Sequence, residues 1–290
     1  MNKVDNAIIM AAGTSSRFAP LSYERPKALI TVKNEVLIER QIRQLKEAGI
    51  KDIIVVVGYM KEQFQYLKDR FNVKLVENNE YLTRNNHSSI YVVREFLNNS
   101  YICSSDNYFA RNPFDSEVED SYYAGVYANG KTKEWCMEVD KDGYINQVTI
   151  GGSDAWYMLG HVFWNSDFSH KFIEILENEY DKPKTADLLW ESIFMNHLDE
   201  LKMRIRKYDS DVIFEFDTLD ELREFDSSYV DNTCSVILKD VAAYLNCKER
   251  DIINVKSYKN SNNASAGFTF DVADDQFEYS YETKKIRRVL

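Results

Sequence analysis

The sequence lacks the features of a disulfide-stabilised, zinc-binding or membrane-spanning protein. Its four cysteines are widely scattered, and no C-x-x-C pair occurs among them. Neither a disulfide framework nor a zinc site is therefore indicated. No apolar run approaches the roughly 18 residues of a membrane-spanning helix, and the first run, residues 7–12, is too short for a signal peptide. We expect a cytoplasmic protein with reduced, buried thiols and no membrane span.

An excess of positive charge is also missing. Lys and Arg number 36 against 47 Asp and Glu, which gives a net charge of -11. This balance argues against an extended nucleic-acid surface but leaves room for a local basic pocket that binds one small anion. The length of 290 residues and the 44% hydrophobic content are those of an ordinary globular protein with one large or two modest cores.

Two common phosphate-binding motifs do not occur in the loop that follows the first apolar run. Gly13 is not followed by the G-K-[ST] of a P-loop, and the loop is not a G-x-G-x-x-G turn. What the loop does contain is Ala11, Ala12 and Gly13, small residues that let backbone N–H groups approach a phosphate closely. Arg17 and Lys27 follow downstream, one as a planar fork and one as a point charge. The spacing predicts a loop that binds a polyphosphate.

Residues 6–109 alternate short apolar runs with stretches of helical periodicity. AIIMAA and DIIVVVGY are continuous aliphatic runs, typical of strands buried on both faces. The stretch between them, VLIERQIRQLKEAGI, has helical spacing and a glycine stop. The repeated strand–helix order predicts an α/β fold with a doubly wound, mainly parallel sheet, and ligands at the carboxyl ends of its strands.

The rest of the chain has a different pattern. Residues 115–226 are rich in aromatics and contain four short strand-like stretches, SYYAGVYA, EWCMEVD, INQVTIGG and YMLGHVFWN. The stretch DLLWESIFMNHLDELK is predicted to form a helix in this region. Residues 227–290 begin with the helical pattern SVILKDVAAYLN and close with the alternating run FTFDVADDQFEYSY. We therefore predict a mixed α/β part followed by a small C-terminal extension.

The motif AAG-x-x-S-R-F-x-P-L, followed by P-K, resembles the signature of nucleotidyltransferases that join a nucleoside triphosphate to a phosphorylated small molecule. The usual signature has glycine where this chain has Ser15. NNHSSIYVV, YICSSDNYF and IFEFDTLDEL resemble stretches of the bacterial CTP:phosphocholine cytidylyltransferases. The resemblance covers residues 6–226 and implies a Rossmann-like nucleotidyltransferase domain over residues 1–226. Its nucleotide-binding part would span residues 1–114 and its acceptor-binding part residues 115–226.

Two aspartates are placed to hold a metal ion. Asp106 stands at the polar end of a buried strand in CSSDNY, and Asp217 has the same placement in FEFDT. The resemblance implies that both bind Mg²⁺, which prefers hard oxygen ligands. The implied reaction is in-line attack of the acceptor phosphate on the α-phosphorus of CTP, which requires no protein nucleophile. Arg17, Lys27, Asp106 and Asp217 are the predicted catalytic residues.

Recognition of the nucleotide is expected from the loop backbone and from neighbouring strand ends. The predicted nucleotide-binding residues are Ala11, Ala12, Gly13, Gly58, Tyr59, Asn86 and Ser88. Asn86 and Ser88 supply the amide and hydroxyl groups that a pyrimidine can pair with. His87 between them is expected to be a loop residue and not a catalytic base. A preference for CTP over UTP or dTTP follows from the resemblance alone.

A choline head group has no N–H to donate, so aromatic faces and a nearby carboxylate hold it best. The predicted acceptor-binding residues are Glu134, Trp135, Asp187 and Trp190, of which the resemblance assigns Trp135 and Asp187 to choline contacts. Leu189 stands where a further aromatic is expected, so Trp156 or Tyr157 would have to complete the site. An unmethylated amine would favour carboxylates over rings.

The predicted function is transfer of the cytidylyl group of CTP to phosphocholine, giving CDP-choline and pyrophosphate. One alternative keeps the chemistry but uses 2-aminoethylphosphonate, phosphoethanolamine or a sugar 1-phosphate as acceptor. A different class of alternative is an inactive nucleotide-binding scaffold. The sequence predicts small-molecule substrates and no nucleic-acid partner, and it leaves a homo-oligomer open.

The C-terminal extension faintly resembles the opening strands of a choline kinase amino-terminal lobe. The chain ends at Leu290, before any kinase catalytic motif, so we expect a truncated kinase-like piece without kinase activity. The sequence does not choose between a remnant, a packing element and an oligomer contact for residues 227–290.

Overall fold

The computed structural model describes residues 1–260 and 265–289, so residues 261–264 and 290 of the predicted extension lie outside the described residues. The chain divides into two compact units. Unit 1 comprises Met1–Gly13 and Leu37–Glu215, and unit 2 comprises Thr14–Val36 and Phe216–Leu290. The predicted polyphosphate loop therefore belongs, from Thr14 onward, to the same unit as the C-terminal extension.

The elements follow one another in the α/β order that the hydrophobic pattern predicts. The strands are β1 (Asn2–Lys3), β2 (Asn6–Ala11), β3 (Thr31–Val32), β4 (Glu35–Val36), β5 (Ile53–Val57), β6 (Lys74–Glu77), β7 (Ser100–Ser104), β8 (Asn107–Phe109), β9 (Glu117–Val118), β10 (Tyr122–Val139), β11 (Ile145–Trp164), β12 (Arg204–Tyr208), β13 (Ile213–Glu215), β14 (Ile252–Lys259), β15 (Ser265–Val272), β16 (Asp275–Ser280) and β17 (Ile286–Arg288). The α-helices are α1 (Leu21–Glu24), α2 (Leu37–Glu47), α3 (Tyr66–Phe71), α4 (His87–Tyr91), α5 (Ser166–Glu179), α6 (Trp190–Asn196), α7 (Leu219–Phe225), α8 (Ser228–Asp231) and α9 (Val236–Leu245). Single 3-10 turns lie at Ser16–Phe18, Lys27–Leu29, Lys61–Phe64, Arg94–Phe96, Pro183–Thr185 and Glu249–Asp251.

A seven-stranded sheet in the order β12-β10-β11-β7-β2-β5-β6 forms the centre of unit 1. Strand β2 pairs in parallel with β5 and β7, and β5 pairs in parallel with β6, whereas β11 runs antiparallel to β7. All five residues of β5 are buried, as expected for a strand covered on both faces. The predicted doubly wound, mainly parallel sheet is confirmed.

The four short strands predicted after residue 115 are two long ones, so that prediction was wrong in its extents. Strands β10 and β11 have 18 and 20 residues and pair with each other antiparallel. Their register shifts between Ala128 and Lys131 and again between Thr132 and Trp135. Such bulges interrupt the apolar alternation from which strand ends are predicted.

Helix α5 covers the sheet of unit 1 with a stripe of apolar residues at helical spacing. Phe168, Phe172 and Leu176 are buried, and four-residue spacing places them on one face of the helix. Trp164 at the end of β11 packs on this face, with its ring centroid 4.5 Å from that of Phe172. The side chain of Asn165 accepts a hydrogen bond from the Phe168 amide and caps the helix start.

Unit 2 combines short helices with an antiparallel sheet in the order β14-β15-β16-β17. The alternating run in β15 buries Phe268 and Phe270, as expected for a sheet that is apolar on one face. Helix α9 begins after Ser235, whose side chain accepts a hydrogen bond from the Leu238 amide. Across residues 1–260 and 265–289, no helix has both the length and the apolar content needed to cross a bilayer.

Candidate active site

Three loops of unit 1 leave the carboxyl ends of neighbouring parallel strands. Ala11 in β2 lies opposite Val57 in β5, and Met10 in β2 lies opposite Ser104 in β7. The residues that directly follow these strands are therefore brought to one edge of the sheet. They are Ala12–Gly13, Gly58–Tyr59 and Ser105–Asp106. This is the edge at which ligands bind in open α/β sheets.

Close backbone contact joins the first two loops. The Tyr59 amide donates to the Ala12 carbonyl at 3.0 Å. A Cβ at Gly58 would lie 2.8 Å from the Tyr81 ring and 2.9 Å from the Ala12 oxygen, so only glycine allows this approach. Gly13, by contrast, is exposed, and a Cβ there would meet no atom within 4 Å. The space in front of Gly13 is open to a ligand.

The predicted base-binding side chains at the start of α4 already have structural partners. The Asn86 amide nitrogen donates to Glu191 at 3.0 Å, and its oxygen accepts from the Trp190 amide at 2.7 Å. The Ser88 hydroxyl is fully buried and donates to the Asn85 carbonyl at 2.8 Å. Base contacts by Asn86 and Ser88 therefore stay predictions. Asn86 joins the start of α4 to the start of α6, whereas Ser88 bonds to the residue just before Asn86.

His87, which stands between Asn86 and Ser88 in the sequence, is buried. One of its ring nitrogens, Nδ1, lies 2.7 Å from the Leu188 carbonyl oxygen. Burial lowers the pKa of His87 below its ordinary value. A neutral, buried imidazole bonded to the backbone suits a structural role, and that His87 is not a catalytic base stays a prediction.

Unit 2 brings three of the four predicted catalytic side chains together. The Asp217 carboxylate lies 2.6 Å from the Arg17 guanidinium and 3.8 Å from the Lys27 ammonium. Arg17 is 74% exposed, whereas Lys27 is only 4% exposed. The Lys27 ammonium also lies 5.5 Å from the centre of the buried Phe18 ring. The fourth residue, Asp106, belongs to unit 1.

The backbone at Asp217 is fixed by the start of helix α7. Thr218 and Glu221 form a capping box, in which each side chain bonds to the other residue's backbone amide. The Glu221 carboxylate also accepts from the Asp217 amide at 2.6 Å. The Asp217 side chain is thereby left to face Arg17 and Lys27, while its backbone is held by a local motif that the sequence TLDE encodes.

A cleft of about 210 Å³ in unit 1 contains part of the predicted acceptor site. It is lined by Ser104, Tyr123, Glu134, Trp135, Met158, Leu159, Gly160, Leu189, Glu191 and Glu215. Ser104 ends the strand that precedes the Asp106 turn, so the cleft adjoins the ligand-binding edge of the sheet. One tryptophan ring and three carboxylates suit a cationic ligand.

The cleft contains Glu134 and Trp135 of the predicted acceptor residues, but neither Asp187 nor Trp190 lines it. Asp187 is exposed. Trp190 is 2% exposed, and its ring lies 5.2 Å from that of Trp164 in the core. Acceptor contacts by Asp187 and Trp190 stay predictions that these placements do not favour.

Sequence reasoning missed Tyr123, Glu191 and Glu215. Glu215 could have been found, because it stands two residues before Asp217 in the same FEFDT motif. Glu191 could not, since the predicted helix begins too early. Helix α6 starts only at Trp190, where the Asn86 side chain, 104 residues away along the chain, accepts from the first amide.

Comparisons with known proteins show the family of this chain. A model of the MobA-like NTP transferase domain matches residues 7–109. The choline-phosphate cytidylyltransferase of Streptococcus pneumoniae is 36% identical over 220 residues, which are 76% of this chain and 96% of the relative. The chain belongs to the choline-phosphate cytidylyltransferase family. A second relative, the 2-aminoethylphosphonate cytidylyltransferase of Lancefieldella rimae, is 38% identical over a match that covers 78% of this chain and 93% of the relative.

The solved structures agree with this cytidylyltransferase assignment. The CTP:phosphocholine cytidylyltransferase from Streptococcus pneumoniae superposes with a TM-score of 0.74 at 35% identity and covers 78% of this chain and 99% of its own. A glucose-1-phosphate thymidylyltransferase from Bacillus anthracis has a TM-score of 0.64 at 16% identity, which shows a shared fold alone. The chain is thus a nucleotidyltransferase enzyme.

The serine that replaces the glycine of the cytidylyltransferase signature adopts a backbone conformation that glycine favours. Ser15 has φ 46° and ψ 44°, in the left-handed region. An L-residue pays about 1 kcal/mol there. We expect Ser15→Gly to raise the unfolding free energy by roughly 0.5 kcal/mol, because part of the relief is offset by the freer unfolded chain. Chemical denaturation measures this, and a loss of stability would contradict it.

Glu191 lines the cleft but was not predicted from the sequence, and it should make acceptor binding by this cytidylyltransferase depend on pH. Burial raises the pKa of Glu191 from 4.5 to about 7. A bound cation favours the ionised form, so binding releases a proton when the pH is below that pKa. We expect the KM of the acceptor to fall roughly three- to tenfold from pH 6 to pH 8. Initial rates at fixed saturating CTP would measure it.

The acceptor's own phosphate also titrates in this range, so Glu191→Gln isolates the contribution of the glutamate. The KM of the acceptor should change less with pH in this variant than in wild type. The change that remains should be the one caused by titration of the acceptor phosphate. Glu138→Gln, at an exposed position on β10, serves as the matched control and should keep the pH dependence of wild type. Equal pH profiles for wild type and Glu191→Gln would contradict a role of Glu191 in acceptor binding.

The same raised pKa also affects the stability of the fold. Glu191 contributes free energy of unfolding that is fully present below pH 4.5 and is lost as the pH rises through about 7.

The side chains present fit a magnesium ion only in part. Within the described ranges, no group of three or more His, Cys, Asp or Glu residues is arranged to hold a metal ion. Magnesium commonly binds through one or two carboxylates and takes its other ligands from substrate and water. The Asp217 carboxylate already faces Arg17 and Lys27, so a metal ion at this carboxylate would compete with these two cations. Asp106 and Asp217 have the oxygen donors that such a site requires.

Proposed function

We propose that this enzyme transfers the cytidylyl group of CTP to phosphocholine and releases pyrophosphate. The observation that carries the proposal is the cleft beside the Asp106 turn, in which Trp135 stands with Glu134, Glu191 and Glu215. A quaternary ammonium binds to an aromatic face and is neutralised by carboxylates. The family relationship to choline-phosphate cytidylyltransferases supports the same acceptor.

The chemistry requires positioning and charge stabilisation from the protein. An ionised oxygen of the acceptor phosphate forms the new bond to the α-phosphorus of CTP, and the bond to the bridging oxygen of pyrophosphate breaks. No protein group has to remove a proton, because that oxygen is already ionised near neutral pH. The loop Ala11–Gly13 would hold the nucleotide through backbone amides, and Gly58 and Tyr59 would line its pocket.

Arg17 and Lys27 would neutralise the phosphates of CTP. Lys27 is buried and fixed, so it suits the charge that develops in the transition state. Arg17 is exposed, and its ion pair with Asp217 is of the kind that contributes about 0.2–1 kcal/mol. Arg17 can therefore exchange the carboxylate for a phosphate at little cost, and this exchange leaves Asp217 available to a cation.

Asp106 and Asp217 are the proposed ligands of Mg²⁺. When bound, the ion would neutralise the triphosphate and orient it for in-line displacement. Asp217 is suited to this role because its backbone is fixed by the capping box of α7, which leaves only the carboxylate to adjust. We also propose a cytoplasmic location and leave the oligomeric state open.

A second candidate acceptor is 2-aminoethylphosphonate. Leu189, not an aromatic residue, lines the cleft, and neither Trp156 nor Tyr157 does. The cleft has three carboxylates but only one tryptophan and one tyrosine. Such a lining favours a primary ammonium, whereas a site built mainly of aromatic rings would favour a quaternary one. The relative from Lancefieldella rimae, a 2-aminoethylphosphonate cytidylyltransferase, has a similar identity to this chain.

A panel of acceptors tests the proposal. Pyrophosphate release is measured with CTP and with UTP, in the presence of phosphocholine, 2-aminoethylphosphonate, phosphoethanolamine and glucose 1-phosphate. The proposal expects the highest kcat/KM for CTP with phosphocholine. A phosphocholine rate no higher than that of the other amines would overturn the acceptor, and CTP binding without any turnover would identify an inactive scaffold.

A further inference from the structure

The segment between the two proposed phosphate-binding cations has little secondary structure of its own. Between Arg17 and Lys27 lies only α1, a helix of four residues, and the strands that follow, β3 and β4, have two residues each. Helices of one turn are not stable in isolation, because nucleation costs more than one turn returns. The conformation of Thr14–Val36 must therefore come from tertiary contacts.

Within unit 2, residues of the C-terminal extension supply such contacts along the whole segment. The Tyr23 and Tyr281 rings stack with centroids 3.7 Å apart and planes 6° apart. Strand β14 lies against the turn that carries Arg17. The Tyr229 hydroxyl donates to the Thr31 carbonyl at 2.5 Å.

A further contact runs from the segment to the extension. The Glu24 carboxylate accepts a hydrogen bond from the Ile237 amide at 3.0 Å, in the first turn of α9. A carboxylate at a helix N-terminus is stabilised both by the free amides and by the helix dipole. The segment and the extension thus stabilise each other, because the Glu24 side chain at the end of α1 bonds to an amide in the first turn of α9.

The extension is additional to what the choline-phosphate relative has. The match to the streptococcal enzyme takes up 96% of that protein but only 76% of this chain. The signature residues of the family lie before residue 227, so the extension is not needed for the family's chemistry as such. Its contacts with the signature segment are a property of this chain.

We propose that the C-terminal extension is a positioning element for the phosphate-binding segment, with Tyr281 and Tyr229 as its positioning residues. The proposal rests on the proposed function, since it gives Arg17 and Lys27 their role with CTP. Tyr281 stacks on the ring of Tyr23, which stands between these two cations in the sequence, and Tyr229 anchors the chain four residues beyond Lys27 at Thr31. The extension thereby acts on nucleotide binding through the segment that carries Arg17 and Lys27.

The test measures the affinity for CTP in the presence of Mg²⁺ by titration calorimetry on the full chain, so that it does not depend on the acceptor. Tyr281→Ala should weaken CTP binding about tenfold, since a small displacement of binding groups has large effects. Tyr281→Phe keeps the stacked ring and should restore wild-type affinity. Tyr244→Ala removes a tyrosine that is 72% exposed on α9 of the same extension, and should leave affinity unchanged.

Thermal melting separates positioning from simple loss of fold. Tyr229→Phe removes only the hydroxyl that binds Thr31, and it should weaken CTP binding several-fold even if Tyr281→Ala does not fold. The inference is overturned if folded Tyr281→Ala and Tyr229→Phe, or the latter alone where the former is unfolded, bind CTP within twofold of wild type, whatever their melting temperatures. Failure of the wild-type protein to bind CTP would instead overturn the proposed function.

Discussion

Replacing Lys27 by methionine should lower kcat/KM for CTP by about a thousandfold, the upper end of the effect of removing one fixed charge-stabilising donor from an active site. Lys27 is 4% exposed and its ammonium lies 3.8 Å from Asp217. A buried cation costs no reorganisation when charge develops on the phosphates, whereas a solvated one must first be ordered. Methionine keeps the length of the side chain and its packing on Phe18, so the loss should appear in catalysis and not in folding.

Initial rates over a range of CTP concentrations measure this effect, with circular dichroism and thermal melting to verify the fold. Lys51→Met is the matched control, because Lys51 is exposed and stands before β5 at the opposite end from the ligand-binding edge. It should retain full activity. A Lys27→Met enzyme with kcat/KM within threefold of wild type would show that the buried ammonium does not act on the substrate.

Much of the fold could be predicted because its determinants are local. The aliphatic runs of β2 and β5 indicate strands buried on both faces, and the helical stripe of α2 between them requires a parallel crossover. The positions of Ala11–Gly13, Gly58 and Asp106 at strand ends follow from the same pattern. The approach of Asp217 to Arg17 and Lys27 could not be read from local patterning, because Asp217 is 190 residues from Lys27 in sequence. Its placement at a strand end and the family resemblance were the signals that pointed to it.

The acceptor cleft could not be predicted with the same success, because its geometry depends on distant contacts. The cap that Asn86 places on α6 sets where this helix begins, and so decides that Trp190 packs in the core while Glu191 lines the cleft. The bulges of β10 are set by its pairing with β11 and leave no signal in the apolar pattern. Neither interaction is readable from residue types at short range.

Position 15, where the family signature has glycine, also shows what the sequence reveals and what only the structure reveals. The sequence shows that Ser15 departs from the family pattern, and only the backbone shows why glycine is usual there, since φ is positive at this residue. The neighbouring Gly13, which the signature keeps, has no such conformational requirement in this structure. A Cβ at Gly13 would meet no atom within 4 Å, so the structure gives no folding reason for this glycine, and its predicted role in nucleotide binding offers a functional one.

Replacing Asp217 by asparagine should reduce turnover by about a hundred- to a thousandfold and raise the Mg²⁺ concentration needed for half-maximal activity. The amide keeps the size of the carboxylate, and the backbone remains fixed by Glu221 and Thr218, so the change removes one negative charge together with its ion pairs to Arg17 and Lys27. A site that holds a divalent cation with few protein carboxylates loses much of its affinity when one becomes neutral. Electrostatic stabilisation of the phosphates should fall with it.

The measurement is pyrophosphate release as a function of Mg²⁺ concentration, for wild type, Asp217→Asn, Asp106→Asn and the double variant. If both aspartates serve one metal ion, the double variant should be hardly worse than either single variant, because residues that act as a unit are not additive. Asp209→Asn, at a side chain that is 87% exposed, should behave as wild type. Additive losses in the double variant, or an unchanged Mg²⁺ dependence in Asp217→Asn, would mean that the two carboxylates act separately and that the shared-ion mechanism is wrong.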